Sequence, residues 1–309
     1  MKNIILGCLI ILLVAETGLS QENDNFSPLF NGKDLTNWSL QKPGGFEVID
    51  GEMVTRSFGN GNDLFTTRSY GNFIFSCDFL LSEVGNSGIY VRCEPFNPGA
   101  GFEVQLLAPW TPWRDDLHCT GSMYGHVAVK NRPDETTGIW YKMEIKCDRN
   151  IITISVNDKV VTQANTDTVK TMAGKPFAGV IGLQANHGTK EQFAKFRNIR
   201  IRDLDAEPDY VITGFYDKND QLRNLSAVSA VSLGAKMILP LASVMSAENI
   251  VAKNGAKQAL FDLVAKASDP AVSKKEKKEV AIALKDGISL TSSEITKNYL
   301  KWLQGMIAQ

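Results

Sequence analysis

The stretch Gly85-Asn86-Ser87-Gly88-Ile89-Tyr90-Val91-Arg92, followed at a short distance by Gly101-Phe102-Glu103-Val104-Gln105-Leu106, decides how the whole chain reads. Ile89 and Val91 alternate with Tyr90 and Arg92; Val104 and Leu106 alternate with Glu103 and Gln105. A strand turns successive side chains to opposite faces, so each stretch predicts a strand with one apolar and one polar face. Paired as neighbours, the two place Tyr90, Arg92, Glu103 and Gln105 on one patch of sheet. The plain reading of that patch is the solvated face of an amphipathic sheet. The chemical reading is a binding or catalytic surface, and the rest of the sequence bears on the choice.

Outward from this stretch the chain is a series of short strand patterns. Phe73, Phe75, Cys77, Phe79 and Leu81 alternate with smaller or polar residues. Asp50-Gly51, between Phe46-Glu47-Val48-Ile49 and Met53-Val54-Thr55, is a hairpin signal. Residues 141–147 and 151–156 flank Asp148-Arg149-Asn150, and Asn157-Asp158 turns the chain again. About a dozen one-sided strands with few helices predict an all-β sandwich over 21–206. Beyond Pro208 the period changes. Leu260, Leu263, Val264 and Ala267 recur at helical spacing, and Ser292-Ser293-Glu294 opens a last helix bearing Tyr299, Leu300, Trp302 and Leu303. Residues 207–309 therefore predict a small α-helical domain. Its apolar stretch 233–245 holds Lys236 and Pro240 and predicts a packed helix broken at Pro240, not a membrane span.

A basic start, Met1-Lys2-Asn3, an apolar run from Ile4 and the small residues Gly18 and Ser20 predict a signal peptide over 1–20 and an exported protein, periplasmic or extracellular. Cys8 precedes most of the apolar run, which argues against lipidation. Export permits disulfides, and Cys93 and Cys119, flanking the long central loop, are the pair to test first; Cys77 and Cys147 sit in strand runs and read as buried thiols. A formal net charge of -1 gives no footprint for nucleic acid. No Cys-x-x-Cys occurs, so no zinc spacing is present.

Eight motifs follow in order: Phe30-Asn31-Gly32-Lys33-Asp34-Leu35 with Trp38; Val48-Ile49-Asp50-Gly51; Tyr70-Gly71-Asn72-Phe73; Gly85-Asn86-Ser87-Gly88-Ile89; Gly101-Phe102-Glu103-Val104-Gln105; Thr120-Gly121-Ser122-Met123-Tyr124-Gly125; Ile181-Gly182-Leu183-Gln184 with His187-Gly188; and Phe196-Arg197-Asn198-Ile199-Arg200-Ile201. In this order they resemble the 3-keto-disaccharide hydrolase family of exported bacterial proteins, over about 26–203. The resemblance implies a concanavalin-like jelly-roll sandwich and action on glycosides oxidised at C3. A C3 ketone acidifies the hydrogen on C2; its removal gives an enolate that expels the C1 substituent, and water then adds. Such an enzyme needs a base, a donor for the enolate oxygen and an acid for the leaving group.

On that reading Glu103 is the base, or fixes the sugar. Arg92 stabilises the enolate oxygen unless it is a structural partner of Glu103. His187, Tyr124 and Gln105 donate or relay protons. Tyr90, Gln105, Asn86, Tyr124, Trp110 and Gln184 form the sugar-binding set. The chain departs from the family where Ala108-Pro109 follows Leu107, at Trp140-Tyr141 and at Ala185-Asn186. No cofactor is implied, and metal binding is left open. The partner class is an oligosaccharide or glycoside, with the helical tail as a surface for a protein partner. Two other functions compete. A non-catalytic lectin-like module would use Trp110, Trp113 and Tyr124 as stacking rings. A two-carboxylate glycosidase of laminarinase type would need two glutamates around an aspartate on one strand, and the sequence carries no such set.

Overall fold

A computed structural model describes residues 25–56, 62–111, 114–185 and 192–307. The signal-peptide reading of 1–20 lies outside these residues. Two antiparallel sheets face each other. The larger runs β11 (Lys159–Asn165), β10 (Ile151–Val156), β9 (Tyr141–Asp148), β6 (Phe73–Leu81), β13 (Ala194–Asp203), β4 (Glu52–Thr55), β3 (Phe46–Ile49), with β1 (Ser27–Pro28) also on β13. The smaller runs β2 (Trp38–Leu40), β5 (Leu64–Thr66), β12 (Val180–Leu183), β7 (Asn86–Cys93), β8 (Phe102–Leu107). Hydrophobic alternation dictates which faces meet. Phe73, Phe75, Cys77, Phe79 and Leu81 of β6 are all buried, opposite Ile89, Val91, Val104, Leu106 and Leu183 of the smaller sheet, in one core cluster. Each buried phenylalanine contributes about 1.5–3 kcal/mol of transfer free energy. The hairpin signals hold: Asp50 and Gly51 have φ of 51 and 80, and Asn157 and Asp158 have φ of 47 and 62, the double positive φ that matches strand twist.

The 3-10 turn Leu204–Ala206 leads into α1 (Pro208–Gly214), α2 (Asp220–Leu233), α3 (Ile238–Met245), α4 (Ile250–Ser268), α5 (Lys274–Leu290) and α6 (Glu294–Ile307). Asn219, Asn249 and Ser273 cap the first turns of α2, α4 and α5 through their side-chain oxygens. Leu241, Leu260, Leu263, Leu284, Leu300 and Leu303 form a second core. The break expected at Pro240 falls earlier. The 3-10 turn Gly234–Met237 separates α2 from α3, while Pro240 sits in the first turn of α3, where its missing N–H costs nothing. The span Asp220–Met245 has the length of a membrane helix, and an 18-residue window within it reaches a mean hydropathy of 1.6. The 3-10 turn interrupts it, and Ile238, Leu241, Ala242, Val244 and Met245 of α3 are packed inside the second core.

Candidate active site

Register assembles the site on the face of the smaller sheet that points away from the core. Gly182 pairs with Phe65 on one side and Tyr90 on the other, and Tyr90 pairs with Glu103. Tyr124 N–H donates to Glu103 O at 2.9 Å, so the segment carrying Ser122 and Tyr124 lies along the free edge of β8. Phe65, Gly182, Tyr90, Glu103 and Tyr124 therefore stand in one cross-strand row. Asp63, Gln184, Gly88, Gln105 and Ser122 form the next. The glycines are hollows in this surface. A Cβ on Gly88 would lie 2.5 Å from Glu103 Oε1, so the carboxylate lies over the space that Gly88 leaves; a Cβ on Gly182 would meet the Phe65 and Tyr90 rings at 2.9 Å.

The polar groups are joined. Gln184 Nε2 donates to Glu103 Oε1 at 2.9 Å and to the Tyr90 hydroxyl at 2.6 Å. The Tyr90 hydroxyl is also hydrogen-bonded to the Asp63 carboxylate, and Asp63 Oδ1 accepts from Ala185 N–H at 2.8 Å. Gln105 Nε2 donates to Asn86 Oδ1 at 3.1 Å. Burial pushes the Glu103 carboxyl up to about 7; the Gln184 bond opposes this, and the Asp63 charge adds to it. Burial also pushes the Tyr90 phenol up, reinforced by the charges of Glu103 and Asp63. A carboxylate poised near neutrality, with its partners fixed, is suited to accepting a proton. Beside these groups, the buried Ser122 Oγ and Gln184 Oε1 have no hydrogen-bond partner.

The structure brings together Glu103, Tyr90, Gln105, Asn86 and Gln184, with Tyr124 beside Glu103. Trp110 is exposed on the turn that follows β8. His187 and Trp113 lie outside the described residues. Arg92 is a correction. Val180 pairs with Cys93 and Gly182 with Tyr90, so Val91 and Arg92 together face one residue of β12. This bulge, with Arg92 at φ 54, flips its side chain into the molecule, and Cys93 takes the outer face with Phe65, Tyr90 and Val180. Arg92 is fully buried and donates to Gly71 O at 3.0 Å, Arg149 O at 2.7 Å and Asn72 Oδ1 at 3.4 Å. It is not a partner of Glu103. The Cys93–Cys119 pairing is a second correction: both thiols are free and buried. Cys93 ends β7, whereas Thr120 hydrogen-bonds to Leu107, which pairs with Asn86 at the other end of that strand. No group of three or more metal-binding side chains occurs among the described residues.

The sequence reading missed Asp63 and His118. Asp63 directly precedes the strand pattern Leu64-Phe65-Thr66, and strand parity with Phe65 was its one signal. His118 Nδ1 lies 2.7 Å from Asp115 Oδ1, and its ring meets that of Tyr124 edge-on at 4.9 Å. Gly88→Ala is expected to push the Glu103 carboxyl aside and lower turnover roughly tenfold or more. Because the flexible end of a side chain is what must move, thermal stability should change by less than about 1 kcal/mol. Steady-state kinetics beside a melting curve checks both.

A two-sheet jelly roll with a joined carboxylate site on one sheet face is the class that fold and site define. The chain belongs to the 3-keto-alpha-glucoside-1,2-lyase-like domain family, whose sequence model matches residues 25–202. Among solved structures, a candidate glycosyl hydrolase from Parabacteroides distasonis ATCC 8503 is 27% identical with a TM-score of 0.52, over 58% of this chain and 98% of that one. Another from the same organism is 23% identical with a TM-score of 0.49, over 58% and 93%. The carbohydrate binding module CBM66 from Bacillus subtilis is 13% identical with a TM-score of 0.37, over 54% and 94%. No curated protein matches the chain. The family match ends before the helices, which it leaves unassigned.

Proposed function

We propose that the chain is an exported carbohydrate-active enzyme that cleaves 3-keto-glycosides by elimination followed by hydration. The observation that carries this reading is the Glu103 carboxyl, partly buried, raised to about 7 and fixed by Gln184. Glu103 takes the C2 proton. The C2–H electrons form the C1–C2 double bond as the C1–O bond breaks, and water then adds at C1 to give the free 3-keto sugar. Gln184 and Tyr90 hold Glu103 in place, and the Asp63 charge keeps it basic. With Arg92 turned into the core, the amides of Gln105 and Asn86 are the donors that remain for the oxygen on C3. The family's name and the glycosyl hydrolase relatives support the substrate class. Hydrolysis by a classical carboxylate pair finds no support in the strand pattern.

Product analysis with a 3-keto-glucoside beside its unoxidised parent tests the reading. The oxidised compound should release its alcohol together with the unsaturated or hydrated 3-keto sugar, and the parent should be left intact. A lectin-like role is the second reading, favoured by the exposed rings of Tyr124 and Trp110. Sugar binding without turnover of either compound would establish it in place of the first.

A further inference from the structure

We propose that His118, held by Asp115, is the acid that protonates the leaving group and the base that activates the incoming water; this rests on the elimination reading above. Glu103 can serve one side of the reaction only. The C2 proton goes to its carboxylate, and the departing alkoxide needs a proton from elsewhere. Tyr124 stands in the same cross-strand row as Glu103, on the adjoining segment, at a spacing of about 5 Å between paired residues. His118 packs its ring edge-on against Tyr124 at 4.9 Å, which brings an imidazole to the β8 edge of the same surface. Gly125 N–H donates to Leu117 O at 3.4 Å, tying the two segments together beside the histidine.

The imidazole is oriented as well as placed. His118 Nδ1 donates to Asp115 Oδ1 at 2.7 Å, and the same oxygen accepts from Leu117 N–H at 2.9 Å. That bond fixes Nδ1 as the protonated nitrogen and leaves Nε2 for exchange with substrate, the arrangement in which a carboxylate orients a catalytic imidazole. The ring is neither buried nor free, at 28% exposure of its side chain, so it is reachable by substrate while held on one side. The cycle balances. Glu103 as carboxylate takes the C2 proton while His118 as imidazolium gives its Nε2 proton to the oxygen leaving C1. The alcohol departs and the C1–C2 double bond remains conjugated with the C3 ketone. Water then adds at C1, giving its proton to neutral His118, as the Glu103 carboxyl returns its proton to C2. Both groups end in their starting forms, and the net reaction consumes one water.

Leaving-group dependence separates an acid from a structural residue. The full-length wild type and His118→Gln are compared on methyl 3-keto-glucoside, whose alkoxide must be protonated, and on 4-nitrophenyl 3-keto-glucoside, whose phenolate leaves unaided. In single turnovers followed by release of the alcohol, the step that precedes water addition, His118→Gln is expected to lose about 10²–10³-fold in rate on the methyl compound and less than tenfold on the nitrophenyl compound. Asp115→Asn should show the same pattern more weakly, with a melting temperature near that of wild type. Equal losses on both compounds, or no loss on either, would overturn the assignment of His118 and leave the elimination reading standing. A wild type inert toward both compounds would overturn the elimination reading and this assignment with it.

Discussion

Glu103→Gln is expected to lower turnover of a 3-keto-glucoside by about 10²–10⁴-fold and, at the same time, to make the protein more heat-stable above pH 7. The first effect follows from removing the base while keeping its size and most of its hydrogen bonding. The second follows from linkage. Folding raises the Glu103 carboxyl from 4.5 to about 7, chiefly by burial, so the fold prefers the protonated form. That preference is fully present below about 4.5 and is lost as pH rises through about 7. Above that, the ionised carboxylate costs about 3 kcal/mol relative to the unfolded chain, an upper value because the group is only partly enclosed. Glutamine carries no such cost. Its advantage over wild type should grow between pH 5 and 8 and then level, giving a rise of several degrees in melting temperature at pH 8. In the wild type, kcat/KM on the nitrophenyl compound, whose leaving group needs no acid, should rise with pH through about 7. Asp63→Asn removes a charge that raises Glu103 and should shift that limb to lower pH. Gln184→Leu removes a bond that lowers it and should shift the limb to higher pH. Normal turnover in Glu103→Gln would take Glu103 out of the mechanism, and a melting temperature that does not respond to pH would take away its raised affinity for the proton.

The parts of the molecule legible in the sequence are those set by local chemistry. Alternation in Phe73-Ile74-Phe75-Ser76-Cys77-Asp78-Phe79 forced a strand with one buried face, and the turns at Asp50-Gly51 and Asn157-Asp158 fixed hairpins through the φ they require. That Tyr90, Glu103 and Gln105 share one face followed once the two strands were taken as neighbours, while the register that pairs Tyr90 with Glu103 came from the fold. What stayed hidden depends on distant chain. Asp63 joins the site because β5 lies beside β12, a neighbour more than a hundred residues away in sequence. His118 arrives through a long loop that folds back on the edge of β8. Arg92 was misread because Tyr90-Val91-Arg92-Cys93 alternates without fault as a sequence. The bulge that turns Arg92 inward is set by the register against Val180 and Gly182, and no local signal marks it. Pro240 was misread for a related reason: proline breaks a helix interior but suits its first turn, and the turn at Gly234–Met237 had already restarted the helix.

Arg92→Leu should unfold the protein far more readily while sparing the chemistry, the reverse of the pattern expected at Glu103. The Arg92 guanidinium joins three segments. Nε holds Gly71 O before β6, Nη1 holds Arg149 O in the turn between β9 and β10, and Nη2 reaches Asn72 Oδ1. Asn72 continues the chain of bonds: its N–H and Nδ2 donate to the two oxygens of Asp205 at 2.8 and 2.9 Å, and its Oδ1 accepts from Arg149 N–H at 2.7 Å. Asp205 belongs to the turn that leads into the helices, and Tyr210 of α1 donates to Asp148 Oδ1 at 2.6 Å beside it. The side chain of Arg92 therefore ties the end of the sandwich to the seam with the helical region. Leucine fills part of the space but leaves two backbone carbonyls without their donors in a dry site. Each such loss costs about 1–3 kcal/mol, so the total should reach about 3–5 kcal/mol. Calorimetry should find the melting temperature lowered by about 10 °C. Lysine should rescue little, because a single ammonium cannot span three acceptors held in a fork. At a temperature well below melting, kcat should stay within a few-fold of wild type, since no Arg92 atom reaches the outer face of the sheet. The double variant Arg92→Leu with Glu103→Leu decides between this clamp and a Glu103 partner: the two stability changes should add within about 0.5 kcal/mol. Recovery of stability in the double variant, or loss of turnover without loss of stability in Arg92→Leu, would return Arg92 to the active site.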